Sequence, residues 1–147
     1  MRRKPALHIS KPLNDKTKIM KPIIQPATQK DFKITENITR EAFWNIYKPG
    51  CDEHLVLNKL RNSKSYISEL DLVAIFEDGI VRHIISTKAK VVDAQNNAHE
   101  VLCLGPVSVI PEFQKNGIGS KLITESIKVA TELGFSCIIL FGNPEYY

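Results

Sequence analysis

The stretch Val107-Ser-Val-Ile-Pro-Glu-Phe-Gln-Lys-Asn-Gly-Ile-Gly-Ser-Lys-Leu122 constrains this chain more than any other. An apolar, β-branched run enters a short loop with two glycines and leaves it directly as a helix. Ile118, Leu122, Ile123, Ile127, Ala130 and Leu133 fall on one helical face, and Gly134 sits where a helix C-cap belongs. A strand and a one-sided helix joined this tightly pack on each other, so the chain needs a sheet with helices laid on it. The junction also has a chemical consequence. The first turn of a helix leaves backbone N–H groups without partners, at the positive end of its dipole. Gly117 and Gly119 carry no Cβ, so phosphate oxygens can approach those groups closely. The physical reading is an anion site suited to a pyrophosphate.

The rest of the chain supplies the sheet. Ile23-Ile24 before Pro26 reads as a short strand, and Thr28 to Asp31 as a capping region. Ile34, Ile38, Phe43 and Ile46 predict a helix over Phe32–Tyr47, broken by Pro49-Gly50. Asp52 can cap a second helix with Leu55, Leu57 and Leu60 on one side. Leu70–Phe76 and Ile80–Val92 read as paired strands around Glu77-Asp78-Gly79, where Gly79 is expected to take the positive φ of the turn. A loop at Gln95-Asn96-Asn97 leads to a strand over Glu100–Val109, and Cys137–Phe141 reads as a buried strand. That order predicts an α/β (α+β) fold, a mixed sheet flanked by helices, in the single domain that 147 residues allow.

Composition narrows the function classes. Apolar residues at 43% and charged residues at 24% are ordinary for a globular protein, and no apolar run approaches the ~18 residues of a spanning helix. No membrane role is expected. Cys51, Cys103 and Cys137 are too few and too scattered for a disulfide framework or a zinc site, which points to a reducing, cytoplasmic setting. Cys103 and Cys137 are expected to be small buried hydrophobes. Cys51-Asp-Glu-His54 reads as the polar start of a helix, because adjacent residues cannot all face one ion; no metal is expected. His83 and His99 have no motif around them.

The net charge of +4 belongs to one end. Met1–Lys21 holds seven basic residues against Asp15, leaving 13 basic and 15 acidic residues in the remainder. Residues 1–21 therefore read as a basic, disordered tail and 22–147 as the folded domain. Nucleic acid is not the expected partner, because a binding domain carries its positive stripe on the folded body.

Spacing decides which pyrophosphate the loop could take. The G-x-x-x-x-G-K-[ST] string of a P-loop is absent, and Gly117-x-Gly119 has only the first two glycines of a dinucleotide fingerprint. What remains is Val109-x-Pro111-x-x-Gln114-x-x-Gly117-x-Gly119 with Leu122. This string resembles the signature of the GNAT superfamily of acetyl-CoA-dependent N-acetyltransferases. Ile24-Gln-Pro-Ala-Thr28 and Gly142-Asn-Pro-Glu-Tyr-Tyr147 agree with it at the flanks, so the resemblance spans about Lys21 to Tyr147.

The resemblance implies an acyl-CoA N-acyltransferase fold, acetyl-CoA as co-substrate, and direct acetyl transfer to a primary amine of a small molecule or a protein. It implies cofactor contacts at Val107, Val109, Gln114, Lys115, Asn116, Gly117, Ile118, Gly119, Ser120 and Asn143. Gly105-Pro106 breaks the ladder of the preceding strand, so a bulge or a splay is expected there. In the family such a bulge lets the pantetheine arm pair with the strand, and a backbone N–H near Val107 steadies the oxyanion. The resemblance also gives Tyr147 as the acid that protonates the departing thiolate; its alternative is an aromatic that only packs at a strand end. Glu100 and Glu53 are both open as the general base. Family members continue past this tyrosine with two further strands, so the chain reads as a domain lacking its last strands. The rival reading is a non-catalytic CoA-binding or regulatory remnant; a homodimer is compatible with either.

Overall fold

Side-chain alternation along three central strands sets the architecture. The computed structural model describes residues 21–114 and 118–142, with side chains given outside 118–120. The tail up to Met20, the loop residues Lys115, Asn116 and Gly117, and Asn143 and Tyr147 lie outside the described residues.

The elements are β1 (Ile23–Pro26), α1 (Gln29–Phe43), α2 (Glu53–Arg61), β2 (Asp71–Phe76), β3 (Gly79–Val92), β4 (Ala98–Val109), α3 (Ile118–Glu132) and β5 (Ile138–Ile139). They form one five-stranded sheet in the order β1-β2-β3-β4-β5, antiparallel throughout except for the parallel β4–β5 pair. The expected mixed sheet flanked by helices is what forms.

On one face, Leu72, Ala74, Val81, Ile84 and Val107 pack against Leu122 of α3, and a second cluster joins Leu70 and Leu102 to Ala130. The opposite face turns Asp71, His83 and Ser108 toward α1 and α2. That face is polar as well as apolar, which matters below.

Several boundaries differ from the sequence expectation, each for a local reason. Helix α1 starts at Gln29, because the Asp31 carboxylate accepts from both the N–H and the hydroxyl of Thr28, at 2.8 and 3.0 Å. It ends at Phe43, not Tyr47, because Asn45 takes φ +58 and its side chain accepts from the Gly50 N–H at 2.7 Å. Ile46 and Tyr47 are left exposed. Asp52 does flank α2, but its carboxylate pairs with Lys48 instead of capping the helix. Leu57 is fully buried while Leu55, two residues away and so off the same face, is exposed.

The β2–β3 turn forms where expected, but Glu77 takes the positive φ (+56) and Gly79 does not. Gly134, at φ +94, closes α3 as expected, with the Phe135 N–H donating to the Ala130 carbonyl. Ile127 and Leu133 face solvent, so the apolar stripe of α3 is narrower than its sequence suggests. The last strand shrinks to two half-buried residues, Ile138-Ile139, with Phe141 exposed. Cys137 is exposed and Cys103 half-buried, contrary to expectation; Cys137 meets the sheet through its carbonyl, which accepts from the Leu102 N–H at 3.0 Å.

Candidate functional site

The strand that carries the motif is irregular where its sequence demands it. Ile84 faces Val107 and Ser86 faces Leu104, so Ile85 alone opposes both Gly105 and Pro106. This is a bulge on β4, caused by a proline that cannot donate to the ladder. Gly105 is required there: a Cβ would lie 2.9 Å from the Ile85 Cγ2 and 3.3 Å from Leu60 Cδ1 of α2.

The other edge of β4 opens just beyond. β5 pairs only with Leu102 and Cys103, so among the described residues no strand pairs with Leu104–Val109 on that side. Those residues offer main-chain donors and acceptors along an unpaired edge, alongside the bulge.

Past Val109 the chain turns sharply toward the helix. Pro111–Phe113 forms a 3-10 turn, the Phe113 ring packs on Phe76 with centroids 5.3 Å apart, and the Gln114 side-chain amide reaches the Val109 carbonyl at 3.4 Å. Leu122 and Val107 share one core cluster, so the first turns of α3 are anchored beside the bulged strand. The structure thus folds Gln114 back onto Val109 and sets Val107 beside Leu122 of α3, whose backbone runs through Ile118, Gly119 and Ser120.

The two glutamates considered as bases sit elsewhere. Glu100 pairs with Lys90 near the start of β4, seven residues and so roughly 23 Å of strand from Val107. It lines a cleft of about 560 Å³ with Tyr66, Glu69, Lys88 and Phe135. Glu53 borders a smaller hollow of about 230 Å³ with Phe43, Tyr47 and Cys51, and its carboxylate accepts from the Asp52 N–H. In the Cys51–His54 segment the Cys51 thiol lies 3.5 Å from both the Arg40 carbonyl and His54 Nδ1. Burial pushes that thiol up from its ordinary value, which makes it a poor nucleophile. No group of three metal-ligating side chains stands together among the described residues.

Sequence reasoning missed the most polar part of the interior. Asp71, fully buried, accepts from Arg61 Nε and NH2 at 2.9 and 3.1 Å, from the Tyr66 hydroxyl at 2.8 Å, and from His83 Nε2 at 2.6 Å. The Arg61 guanidinium also donates to Thr35 Oγ1 and lies 4.0 Å from the centre of the Phe32 ring. Burial disfavours the Asp71 carboxylate, but the bonds from His83 and Arg61 outweigh it and hold its pKa at about 2. Burial dominates at His83 and keeps the imidazole below its usual range despite Asp71. His83 Nε2 also lies 3.2 Å from Arg61 NH2, and its Nδ1 has no partner among the described residues. The hint in the sequence was Asp71 and His83 at two apolar strand segments, Leu70–Phe76 and Ile80–Ile85.

A bulged strand with an open edge, feeding a glycine-bearing helix start, defines the acyl-CoA N-acyltransferase type of fold. Residues 35–145 match the acetyltransferase (GNAT) family, and the chain belongs to that family. It is 32% identical over 78 residues to the uncharacterized N-acetyltransferase YjhQ of Escherichia coli (strain K12), covering 53% of this chain and 42% of that protein. The chain thus matches about two-fifths of the length of that curated relative. Among solved structures, a GNAT family acetyltransferase from Brucella melitensis in complex with acetyl-CoA superposes with a TM-score of 0.76 at 28% identity, over 86% of this chain and 79% of that one. The E. coli GNAT family N-acetyltransferase YhbS, in complex with CoA, shares the fold at a TM-score of 0.71 and 19% identity, over 95% and 69% of the two chains.

Proposed function

We propose that this protein is an N-acetyltransferase that moves the acetyl group of acetyl-CoA to a primary amine, of a small molecule or a protein, within a ternary complex. The observation that carries the reading is the β4 edge. The Gly105-Pro106 bulge lies on a run, Leu104–Val109, whose second edge has no strand partner among the described residues and so offers main-chain donors and acceptors beside the bulge. That arrangement fits the co-substrate: an extended pantetheine arm can pair with the open edge as an added strand, and a pyrophosphate can settle on the free N–H groups at the head of α3. The acetyl-CoA complex of the Brucella melitensis relative supports the same co-substrate.

Acetyl-CoA supplies an activated thioester. The chain binds it through Val107, Val109 and Gln114 and through the Lys115–Ser120 loop and helix start, with Asn143 as a further contact. A bulge N–H at Val107 donates to the thioester oxygen as negative charge develops there. The amine nitrogen forms the C–N bond while the C–S bond breaks. The nitrogen gives up its surplus proton to water, and the thiolate takes a proton from the Tyr147 phenol, which solvent then reprotonates. Holding both reactants in one cleft supplies much of the acceleration. We place the enzyme in the cytoplasm, where its three free thiols fit a reducing medium.

The test is thiol release from acetyl-CoA against a panel of amines, with Tyr147→Phe beside the wild type. Amine-dependent release, slowed at least several-fold by the substitution, supports the reading. CoA binding without turnover on any amine would support the non-catalytic alternative.

A further inference from the structure

Among the described residues, the β4 segment that follows the bulge has a strand partner on one edge only. Past the bulge the register with β3 resumes, with Ile84 opposite Val107, His83 opposite Ser108 and Arg82 opposite Val109, and the Ile110 N–H donates to the Val81 carbonyl at 3.0 Å. On the other side, Val107–Val109 has no strand partner among the described residues. Val107 and Val109 are buried on the α3 face, and apolar packing there is non-directional.

Ser108 points the other way, into the seam with α1, and it is the polar residue of this apolar strand end. It is fully buried, and its hydroxyl donates to Thr39 Oγ1 at 2.9 Å; Thr39 is fully buried too. The direction of that bond is settled by the next one, because the Thr39 hydroxyl gives its own proton to the Thr35 carbonyl at 2.8 Å. Thr35 is itself fixed: its hydroxyl donates to the Asp31 and Phe32 carbonyls and accepts from Arg61, which Asp71 clamps through two bonds. A chain of directional bonds therefore runs from a buried ion pair, through α1, to the residue next to Val107.

We propose that Ser108 and Thr39 are positioning residues for acetyl transfer, whose hydroxyl bond holds β4 in the rotation at which the Val107 N–H faces the thioester oxygen. This rests on the oxyanion role given above to Val107. The β3 ladder and apolar packing seat the strand, and the Ser108 bond adds a directional tie from its α1 face. A small rotation moves the N–H off the carbonyl, and a misplacement of ~1 Å costs on the order of a hundredfold in rate.

A purely structural role makes a different prediction. Removing one partner leaves a buried hydroxyl unsatisfied, whereas removing both is nearly neutral for stability. Ser108→Ala, Thr39→Val and the double variant are compared by thermal unfolding, by acetyl-CoA affinity, and by the isotope-edited infrared carbonyl stretch of bound acetyl-CoA carrying ¹³C at the carbonyl. A donor on the thioester oxygen moves that stretch to lower frequency without requiring an acceptor amine. We expect the wild type to show the displacement and the double variant to regain a near wild-type melting temperature and to bind acetyl-CoA within about threefold, a change of under 1 kcal/mol. It should still lose more than half of the displacement, while Thr39→Ser, which keeps the hydroxyl, retains it. A double variant with the full wild-type displacement overturns the positioning role and leaves Val107 in place. A wild type that binds acetyl-CoA with no displacement overturns the Val107 role and this proposal together.

Discussion

Replacing Asp71 by alanine tests the account of the interior most severely. The carboxylate accepts four bonds, two from Arg61, one from Tyr66 and one from His83, with no solvent to replace them. The substitution strands a guanidinium whose side chain is 2% exposed and whose other charged neighbour, Glu36, stands 3.9 Å away. Breaking a buried pair from one side costs about 3–5 kcal/mol, mostly because the other charge stays buried without compensation. Against a typical total of about 5–15 kcal/mol this is large, so urea unfolding is best followed by circular dichroism at low temperature. We expect the midpoint to fall sharply with an unchanged slope. Adding Arg61→Met should recover at least half of the loss, since the stranded charge goes with it. A loss under about 1 kcal/mol for Asp71→Ala, or strict additivity of the two changes, would refute the clamp.

Other consequences are open to direct measurement. Gly105→Ala should destabilise by about 1–3 kcal/mol, because the new methyl meets Ile85 at 2.9 Å, whereas Gly79→Ala, whose methyl meets nothing within 4 Å, should be close to neutral in the same urea titration. His83 is held below its ordinary pKa in the fold, so the unfolded chain takes up its proton first as the pH drops. Its contribution is complete above about pH 6.5 and is lost below that, by up to about 1.4 kcal/mol per pH unit, and His83→Phe should flatten the dependence in unfolding titrations between pH 7.5 and 5.5. Asp71, held at about 2, adds a second loss only below about pH 4, with the same sign.

What the sequence revealed, and what it hid, follows from the range of the interactions involved. The β4 bulge was legible because its cause is covalent: Pro106 has no N–H to offer, whatever surrounds it. Gly134 was legible because a helix end needs a positive φ within one residue of a known place. The end of α1 was missed because Pro49 looked like the breaker, while Asn45 stops the helix earlier by accepting from Gly50, a bond that exists only once the loop has folded back. The turn before β3 was placed well, yet the strained residue was Glu77, since sequence favours glycine where the strand register decides. The polar seam was beyond reach for another reason. Arg61, Asp71 and His83 lie 10 to 22 residues apart, and each alone looks like a solvated charge or an unremarkable histidine. Only the sheet brings them together, and Ser108 reaches Thr39 across 69 residues. Gln114 folds back onto Val109 and Val107 packs beside Leu122, while Glu100 lies at the far end of its strand.

In the proposed function, acetyl-CoA lies along the open edge of β4 with its pyrophosphate at the head of α3. Calorimetric titration of the protein with acetyl-CoA tests it most directly, with Gly119→Val as the control, because a branched side chain there would occupy the place of the phosphates. The account predicts saturable one-to-one binding by the wild type, abolished in Gly119→Val while both proteins keep the same circular dichroism spectrum. No heat of binding from a folded wild type at millimolar acetyl-CoA, or equal affinity in the two proteins, would contradict it.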